Sequence, residues 1–389
     1  MKLCAIVSGD FRLTGGMDRA NYELAWHLAE REGCEVHLVS YRVQEPLASH
    51  RNVTWHRVPK PLNSYILAEP IQGCYGRRVA AELTRRGGRV IVNGGNCSWP
   101  DINWVHAVHA AWDNSDLHAP LRFRLKNTLA KWHFRRGERR SLRSAKLIIT
   151  NSKRAAGDVA HRVGIASTPI RTVYYGTDPL VHRPPTPAER SDARAEFGLD
   201  EGDRLIAFVG LLGHDRNKGF DVSFDAVAQL RMRRPDRLCQ VAAGDGAEVP
   251  YWRMVASRRG LTGDLKMLGM TDRIPQLLAA ADLLVAPSRY EAYSLAVHEA
   301  LCHGVPAVVS RIAGVSERYP PQLAPLLIDN PLSVEEVEAR LSDGLDRLEQ
   351  YRSETLKLSD QLRQRTWEDM AAEIVQIIRS DPTPPVTRC

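Results

Sequence analysis

The chain has 389 residues, 43% hydrophobic and 25% charged, a soluble globular composition whose length suits two domains rather than one core, with no run near the roughly 18–20 apolar residues of a membrane span. Its seven cysteines (Cys4, Cys34, Cys74, Cys97, Cys239, Cys302, Cys389) are odd in number and form no C-x-x-C pair, which argues against a disulfide framework or zinc site and for a reducing cytoplasm. The net charge of +7 is unevenly spread: residues 1–176 hold 27 Lys/Arg against 14 Asp/Glu, and residues 177–389 hold 26 against 32, so a basic half meets something anionic.

Met1 to Gly9 is a short apolar run without a cleavage site and reads as a first β-strand over Leu3–Ser8, not a signal peptide. Asp18 to Glu30 carries Tyr22, Leu24, Ala25 and Leu28 at helical spacing, and Glu35 to Ser40 alternates like a strand. Arg89–Asn93 (RVIVN) and Lys146–Asn151 (KLIITN) are further buried-type strands. Strands separated by helices predict a parallel, doubly wound sheet.

Between these elements the basic residues concentrate. Leu121 to Arg154 holds twelve of them and one acid, Glu138. A solvated helix face, nucleic acid, an anionic bilayer and an anionic small molecule all fit that stretch. Trp132 and Phe134 lie among Lys131, Arg135, Arg136, Arg139 and Arg140, and apolar rings beside cations suit the headgroup region of an anionic membrane.

Asp178 to Ser191 (DPLVHRPPTPAERS) contains four prolines and no periodicity, so it reads as an interdomain linker. The alternation then restarts: strand Leu205–Val209, helix Asp221–Met232, strands Cys239–Ala243 and Asp264–Leu268, helix Ile274–Ala280, strand Asp282–Ala286, helix Leu295–Cys302, strand Ala307–Val309. This is a second Rossmann-like sheet. The segment Trp367–Ile378 is amphipathic, and Pro382, Pro384 and Pro385 end it. The predicted organisation is a first domain over 1–177, a linker over 178–200, a second domain over 201–365, and a C-terminal helix and tail over 366–389 packing back on the first domain. Two open α/β domains in series are expected to bind ligands in a cleft at the carboxyl ends of their strands.

Three segments could carry chemistry. The first βα turn, S-G-D-F-R-L-T-G-G-M-D-R, is not G-x-G-x-x-G, so a dinucleotide fingerprint is absent. Its Gly15–Gly16 pair before a helix can still bring backbone amides to a phosphate; a ligand-free glycine turn is the other reading. The second domain opens V-G-L-L-G-H-D-R-N-K-G-F-D after its first strand, which places Arg216 and Lys218 at a strand's carboxyl end, where two fixed cations suit a diphosphate. The segment Ala286–Val309, A-P-S-R-Y-E-A-Y-S-L-A-V-H-E-A-L-C-H-G-V-P-A-V-V, puts Glu291 in a loop, starts a helix near Ser294 and places Glu299 inside it. The amides of Tyr293, Ser294 and Leu295 can bind phosphate at the helix N-terminus, and Glu299 can accept from two adjacent ribose hydroxyls. His298 and His303 read as packing or surface residues. No metal-ligand spacing occurs, neither D-x-D in a suitable loop nor H-E-x-x-H.

Glu291 and Glu299, with seven residues between them and A-L-C-H-G-V-P following, resemble the E-x7-E motif of the retaining GT-B glycosyltransferases called family 4. Gly15-Gly16-Met17 resembles the family's G-G loop, Ile149–Ser152 its I-x-N-S strand end, and Tyr174–Asp178 (YYGTD) its Y-N-G-V-D; Lys218-Gly219 and Asp282–Ser288 also fit. The chain departs from the pattern twice: Leu211 stands where G-R-L has arginine, so Arg216 is the candidate replacement charge, and the usual E-G-F-G is E-A-Y-S, which keeps the amides and loses the glycines.

The resemblance implies the GT-B fold, α/β with two Rossmann-like domains facing across a central cleft. It implies transfer of a sugar, with retention and without a metal or other cofactor, from a nucleotide-diphosphate sugar to an acceptor hydroxyl of a glycan, a lipid-linked sugar or a small molecule. Donor binding falls to Gly15, Gly16, Arg216, Lys218, Tyr293, Ser294, Leu295 and Glu299. Glu291 orients the sugar. A histidine contacts it, His109 in W-V-H-A-V-H-A-A-W, with His106 the alternative. The acceptor side is the basic first half, near Gly16 and His109. The location implied is cytoplasmic, with peripheral attachment at the inner membrane face as an extension. Competing readings are a GT-B sugar-nucleotide 2-epimerase, against which the E-x7-E match weighs, and a nucleic-acid-binding protein, for which no aromatic-basic module is present.

Overall fold

The computed structural model describes residues 1–112 and 119–381; the proline-bearing tail and Cys389 lie outside the described residues. The described residues divide into two units, the first built from residues 1–112, 120–176 and 366–381, the second from residues 119 and 177–365.

The first unit holds a seven-stranded parallel sheet. Its strands are β1 (Leu3–Val7), β2 (Glu35–Ser40), β3 (Val53–Arg57), β4 (Arg89–Asn93), β5 (Ile102–Val105), β6 (Leu147–Thr150) and β7 (Ile170–Thr172), in the order β3-β2-β1-β4-β5-β6-β7. Register sets Leu3 beside Glu35 and Cys4 beside Arg89, so β1 lies between two strands distant in sequence. All five residues of β1 (LCAIV) are buried, as expected of a strand covered on both faces. Helix α1 (Gly16–Trp26) follows β1, α2 (Tyr65–Arg85) precedes β4, and the basic α3 (Leu121–Ser144) precedes β6.

The chain returns to this unit through α7 (Trp367–Ser380), which opens with a capping box between Thr366 and Asp369. Trp367, Met370, Ala371, Ile374, Val375 and Ile378 form its buried stripe, at helical spacing. Full burial of a large apolar side chain stabilises by about 1.5–3 kcal/mol, so this stripe alone anchors the segment. Arg89 reinforces it from β4, reaching Asp101 at 2.8 Å, Asp381 at 2.9 Å and the Ile378 carbonyl at 3.2 Å.

The second unit holds a six-stranded parallel sheet of β8 (Arg204–Val209), β9 (Leu238–Ala243), β10 (Leu265–Gly269), β11 (Leu283–Ala286), β12 (Ala307–Ser310) and β13 (Leu327–Ile328), in the order β10-β9-β8-β11-β12-β13. Helices α4 (Phe220–Arg233), α5 (Val249–Arg258) and α6 (Leu295–Cys302) follow β8, β9 and β11.

Residues 178–200, expected as a linker, belong to this second unit. Pro187–Glu196 is a helix begun by a Thr186/Glu189 capping box. Arg190 and Arg194 from it reach the Asp282 carboxylate at 2.7 and 3.3 Å. Asp282 is buried at the start of β11, and also accepts from the Leu205 amide at 2.9 Å and from Arg352 at 3.4 Å. Removing one partner from such a buried set typically costs 3–5 kcal/mol, so the proline-rich stretch is bound to the sheet.

Candidate functional site

In the second unit the site grows from turns at the carboxyl ends of β8 and β11. The β8 turn ends at Gly219, which has φ +72°. A Cβ there would stand 2.1 Å from the Pro287 carbonyl oxygen, so the turn after β8 and the turn after β11 meet backbone to backbone. Asn217 Nδ2 donates to the Tyr290 carbonyl at 2.9 Å, the Arg289 amide donates to the Asn217 carbonyl at 2.8 Å, and Arg289 Nη1 donates to the Arg216 carbonyl at 3.0 Å. This stitching brings Lys218 against Glu291, where ammonium and carboxylate form an ion pair.

Arg216 does not join that pair. Its Nε donates to both Glu248 oxygens, at 2.9 and 3.2 Å, and its guanidinium lies 5.3 Å from the Trp252 ring centroid and 5.6 Å from that of Tyr251. Trp252 Nε1 donates to the same carboxylate at 3.2 Å. The two cations expected to act together on a diphosphate are here engaged separately, Arg216 with Glu248 and Lys218 with Glu291. A guanidinium matched to a carboxylate and stacked on indole braces its loop, while Lys218 carries the charge beside Glu291. Leu211, at the position of the missing arginine, is 62% exposed.

Glu291 leads into α6. Its carbonyl accepts from the Gly314 amide at 3.2 Å and that of Tyr293 from Val315 at 2.8 Å, tying the loop to the turn after β12. The Tyr293 side chain is buried and its hydroxyl lies 3.0 Å from His298 Nδ1, so only its backbone faces the helix start. Ser294 precedes α6 at φ +88° and makes no side-chain cap. One of the two positions where the family pattern has glycine is thus held in a backbone conformation that suits glycine. The Ser294 and Leu295 amides belong to the positive end of α6.

Glu299 lies one turn into α6 with its carboxylate 3.5 Å from His182 Nε2. His182 comes from the segment read as linker, and its ring meets that of His303 edge-on at 5.3 Å. Spacing alone carried no signal for this histidine. Burial lowers His298 to about 3 and His303 to about 4; both are neutral packing residues.

In the first unit Gly15 has φ +84° and Gly16 opens α1. Asp18 in its first turn is buried and takes Arg12 Nε at 2.9 Å; burial raises its carboxyl against the pull of Arg12. The two candidate histidines separate clearly. His106 is buried, 2.6 Å from the Tyr175 hydroxyl, and burial lowers it to about 3. It fills the core at the end of β5. The His109 side chain is 37% exposed, with Nδ1 3.2 Å from Glu138 Oε1. Glu138, the one acid of the basic stretch, is fully buried and accepts from the His109 and Ala110 amides at 2.8 and 3.0 Å.

Residues 203–346 match the family model for glycosyl transferases group 1, and residues 14–179 that for glycosyltransferase family 4. The chain belongs to this glycosyltransferase family. Among the relatives of this family member is an alpha-D-kanosaminyltransferase of Streptomyces kanamyceticus, 26% identical over 216 residues, 55% of this chain and 54% of the relative. A D-inositol 3-phosphate glycosyltransferase of Corynebacterium urealyticum is 27% identical over 305 residues, 73% of this chain and 68% of the relative. The chain spans about half the length of the first of these two relatives. Its fold is shared with WaaG, a glycosyltransferase involved in lipopolysaccharide biosynthesis (TM-score 0.78, 18% identity, 97% of this chain and 100% of that one). It is shared also with Anabaena HepE solved with UDP and glucose (TM-score 0.72, 17% identity, 98% and 100%). The two parallel Rossmann-like sheets are those of the GT-B class.

Proposed function

We propose that this chain is a retaining glycosyltransferase that moves a sugar from a nucleotide-diphosphate sugar to an acceptor hydroxyl without a metal. The observation that carries the reading is the Lys218–Glu291 pair at the start of α6, with Glu299 one turn further along the same helix. A nucleoside diphosphate laid there has the Lys218 ammonium and the α6 amides for its phosphates and the Glu299 carboxylate for its ribose. As the donor arrives, Lys218 exchanges the Glu291 carboxylate for phosphate oxygen and frees Glu291 to orient the sugar. The C1–phosphate bond breaks, the acceptor oxygen bonds to C1 on the same face, and the acceptor proton passes to the leaving phosphate oxygen. In the first unit Gly15 and Gly16 are assigned to the donor and His109 to the reacting sugar.

The HepE neighbours contain UDP and UDP-glucose, so uridine nucleotides are the first probes. A panel of nucleotide sugars, followed by mass spectrometry of donor cleavage, tests the reading. Cleavage of one donor that persists in excess EDTA and is lost in Lys218→Ala is the expected result. Turnover that EDTA abolishes and magnesium or manganese restores contradicts the metal-free part. Conversion of the donor to its 2-epimer contradicts transfer.

The acceptor side extends to a membrane surface in this proposal. Leu121, Leu125, Leu129 and Trp132 on α3 are 61–69% exposed and share one helix face by their spacing. Arg136 lies 5.8 Å from the Trp132 ring, and Arg136, Arg139 and Arg143 are exposed. Among the described residues no helix is long and apolar enough to cross a membrane, so attachment is peripheral. The chain is expected to sediment with phosphatidylglycerol vesicles at low salt and to be released at high salt or by Leu125→Ser with Trp132→Ser. Absence of sedimentation at low salt refutes attachment.

A further inference from the structure

The Glu138 carboxylate is fully buried, and two backbone amides and one imidazole nitrogen of one loop meet its two oxygens. Oε1 accepts from the His109 amide at 2.8 Å and lies 3.2 Å from His109 Nδ1, and Oε2 accepts from the Ala110 amide at 3.0 Å. One turn earlier on α3, Arg135 donates from Nε to the His109 carbonyl at 3.0 Å and from Nη2 to the Trp112 carbonyl at 2.7 Å. The ring of Phe134 lies beside the imidazole, centroids 5.4 Å apart and planes at 32°. A single helix thus holds the amides, carbonyls and ring of the His109 loop. The one remaining polar atom of the imidazole is Nε2, on a side chain that is 37% exposed.

We propose that Glu138 is the positioning residue of His109, fixing the imidazole with Nδ1 protonated and Nε2 as a hydrogen-bond acceptor for a sugar hydroxyl. A carboxylate that already accepts two backbone amides is acceptor-only, so the imidazole nitrogen facing it must be the donor. With the ring hydrogen on Nδ1, the lone pair lies at Nε2. Such a group selects a sugar that carries a hydroxyl at the facing position, and rejects the deoxy sugar that leaves the nitrogen unpaired. The kinetic consequence rests on the glycosyltransferase reading; the tautomer does not.

The test uses the full chain with 15N-labelled histidine. A long-range 1H–15N correlation distinguishes a protonated from an unprotonated ring nitrogen, and the His109 signals are identified by their absence in His109→Gln. The expected result at pH 8 is a protonated Nδ1 and an unprotonated Nε2. In Glu138→Gln one carboxylate oxygen becomes an NH2 group. Facing the His109 nitrogens, that group is expected to shift the tautomer; facing the Ala110 amide, it loses that hydrogen bond and loosens the loop. Turnover is expected to fall about 10–100-fold, the usual range for a group acting through its neighbour, with KM for the donor and UDP affinity unchanged; Glu138→Asp is expected to recover part of the loss. A protonated Nε2 with unprotonated Nδ1 in the parent chain overturns the proposal, as do an unchanged tautomer and turnover in a folded Glu138→Gln. If Glu138→Gln does not fold, the parent spectrum decides. If the parent transfers no sugar while its Nδ1 is protonated, the glycosyltransferase reading fails and the positioning of His109 stands.

Discussion

The meeting of the β8 and β11 turns at Gly219 makes one substitution diagnostic of how the second unit builds its site. In Gly219→Ala the new Cβ would stand 2.1 Å from the Pro287 oxygen, 2.8 Å from its carbonyl carbon and 2.9 Å from its Cγ. Two of these atoms are backbone and cannot swing aside, so the two turns must part. Holding alanine at φ +72° costs roughly 1–2 kcal/mol, and overpacking against fixed atoms adds about 1–3 kcal/mol. The expected loss is about 2–5 kcal/mol, or a fall in Tm of roughly 4–20 °C, since 1 kcal/mol is about 2–4 °C in a unit of this size. Gly260→Ala isolates the first contribution: φ is +68° and nothing lies within 4 Å of its Cβ, so about 1–2 kcal/mol is expected there. Function separates the two as well. Lys218 precedes Gly219, and Pro287 opens the loop to Glu291, so parting the turns separates the ion pair and is expected to weaken UDP binding at least about tenfold, or 1.4 kcal/mol. Gly260→Ala is expected to bind UDP like the parent. Thermal unfolding and calorimetry with UDP read both effects. If Gly219→Ala loses no more stability than Gly260→Ala and keeps its UDP affinity, the packing of the two turns does not position Lys218.

Three further perturbations probe separate groups. Glu299→Ala is expected to weaken UDP binding by about 1.5–3 kcal/mol, because ribose hydroxyls lose a charged acceptor; an unchanged calorimetric affinity removes Glu299 from the ribose. Ser294→Gly is expected to raise Tm, since serine at φ +88° with no side-chain cap holds strain of about 1–3 kcal/mol, offset by about 0.5–1 kcal/mol of added chain entropy; a lower Tm shows that the serine is not strained. Burial lifts the Glu69 carboxyl from 4.5 to about 7, with His109 opposing and Glu138 adding. Between pH 4.5 and 7 the folded chain keeps a proton that the unfolded chain has lost, so stability falls as pH rises through that window and stays lower above it; Glu69→Gln is therefore expected to gain up to about 3 kcal/mol on the parent between pH 5 and pH 8 in urea unfolding, and a constant difference refutes it.

The sheets were legible because parallel strands read as continuous apolar runs. Glu35–Ser40, Arg89–Asn93 and the helix Leu295–Cys302 have the observed bounds, the other expected strands differ by a residue at one or both ends, and the strands Val53–Arg57, Ile102–Val105, Ile170–Thr172 and Leu327–Ile328 were not expected. The helix Tyr65–Arg85 was not legible, because Pro70, Gly73 and Gly76 interrupt its pattern while tertiary packing holds it. The prolines of residues 178–200 signalled a break in secondary structure, but not the buried Asp282 that draws Arg190 and Arg194 onto the sheet. At the site, what was visible came from one strand-loop-helix at a time: Lys218, Glu291, Ser294, Glu299. What was hidden needed a partner from another segment. Glu248 takes Arg216, His182 reaches Glu299, and Glu138 holds the loop of His109, the exposed one of the two candidate histidines. Periodicity along a chain cannot register such pairs, because the residues that meet belong to different elements.

The basic stretch shows why summed charge is a poor guide to what a surface does. Read as composition, Leu121 to Arg154 is a block of cations with one stray acid. On α3 its members divide by face. Arg135 and Glu138, three residues apart and so on one side of the helix, hold the loop of His109. Leu121, Leu125, Leu129 and Trp132 form the exposed apolar stripe, and Arg136, Arg139 and Arg143 continue its line by helical spacing. Neutralising the stretch wholesale would therefore strip the clamp from the His109 loop together with any membrane affinity, and a loss of activity would not say which was responsible. A variant of Arg136, Arg139 and Arg143 to serine leaves Arg135 and Glu138 in place. The two roles assigned to α3 then predict opposite outcomes for it: vesicle binding falls while turnover on a soluble acceptor stays. In Glu138→Gln turnover falls while vesicle binding stays. Equal loss of both properties in both variants would mean that α3 serves one role, not two.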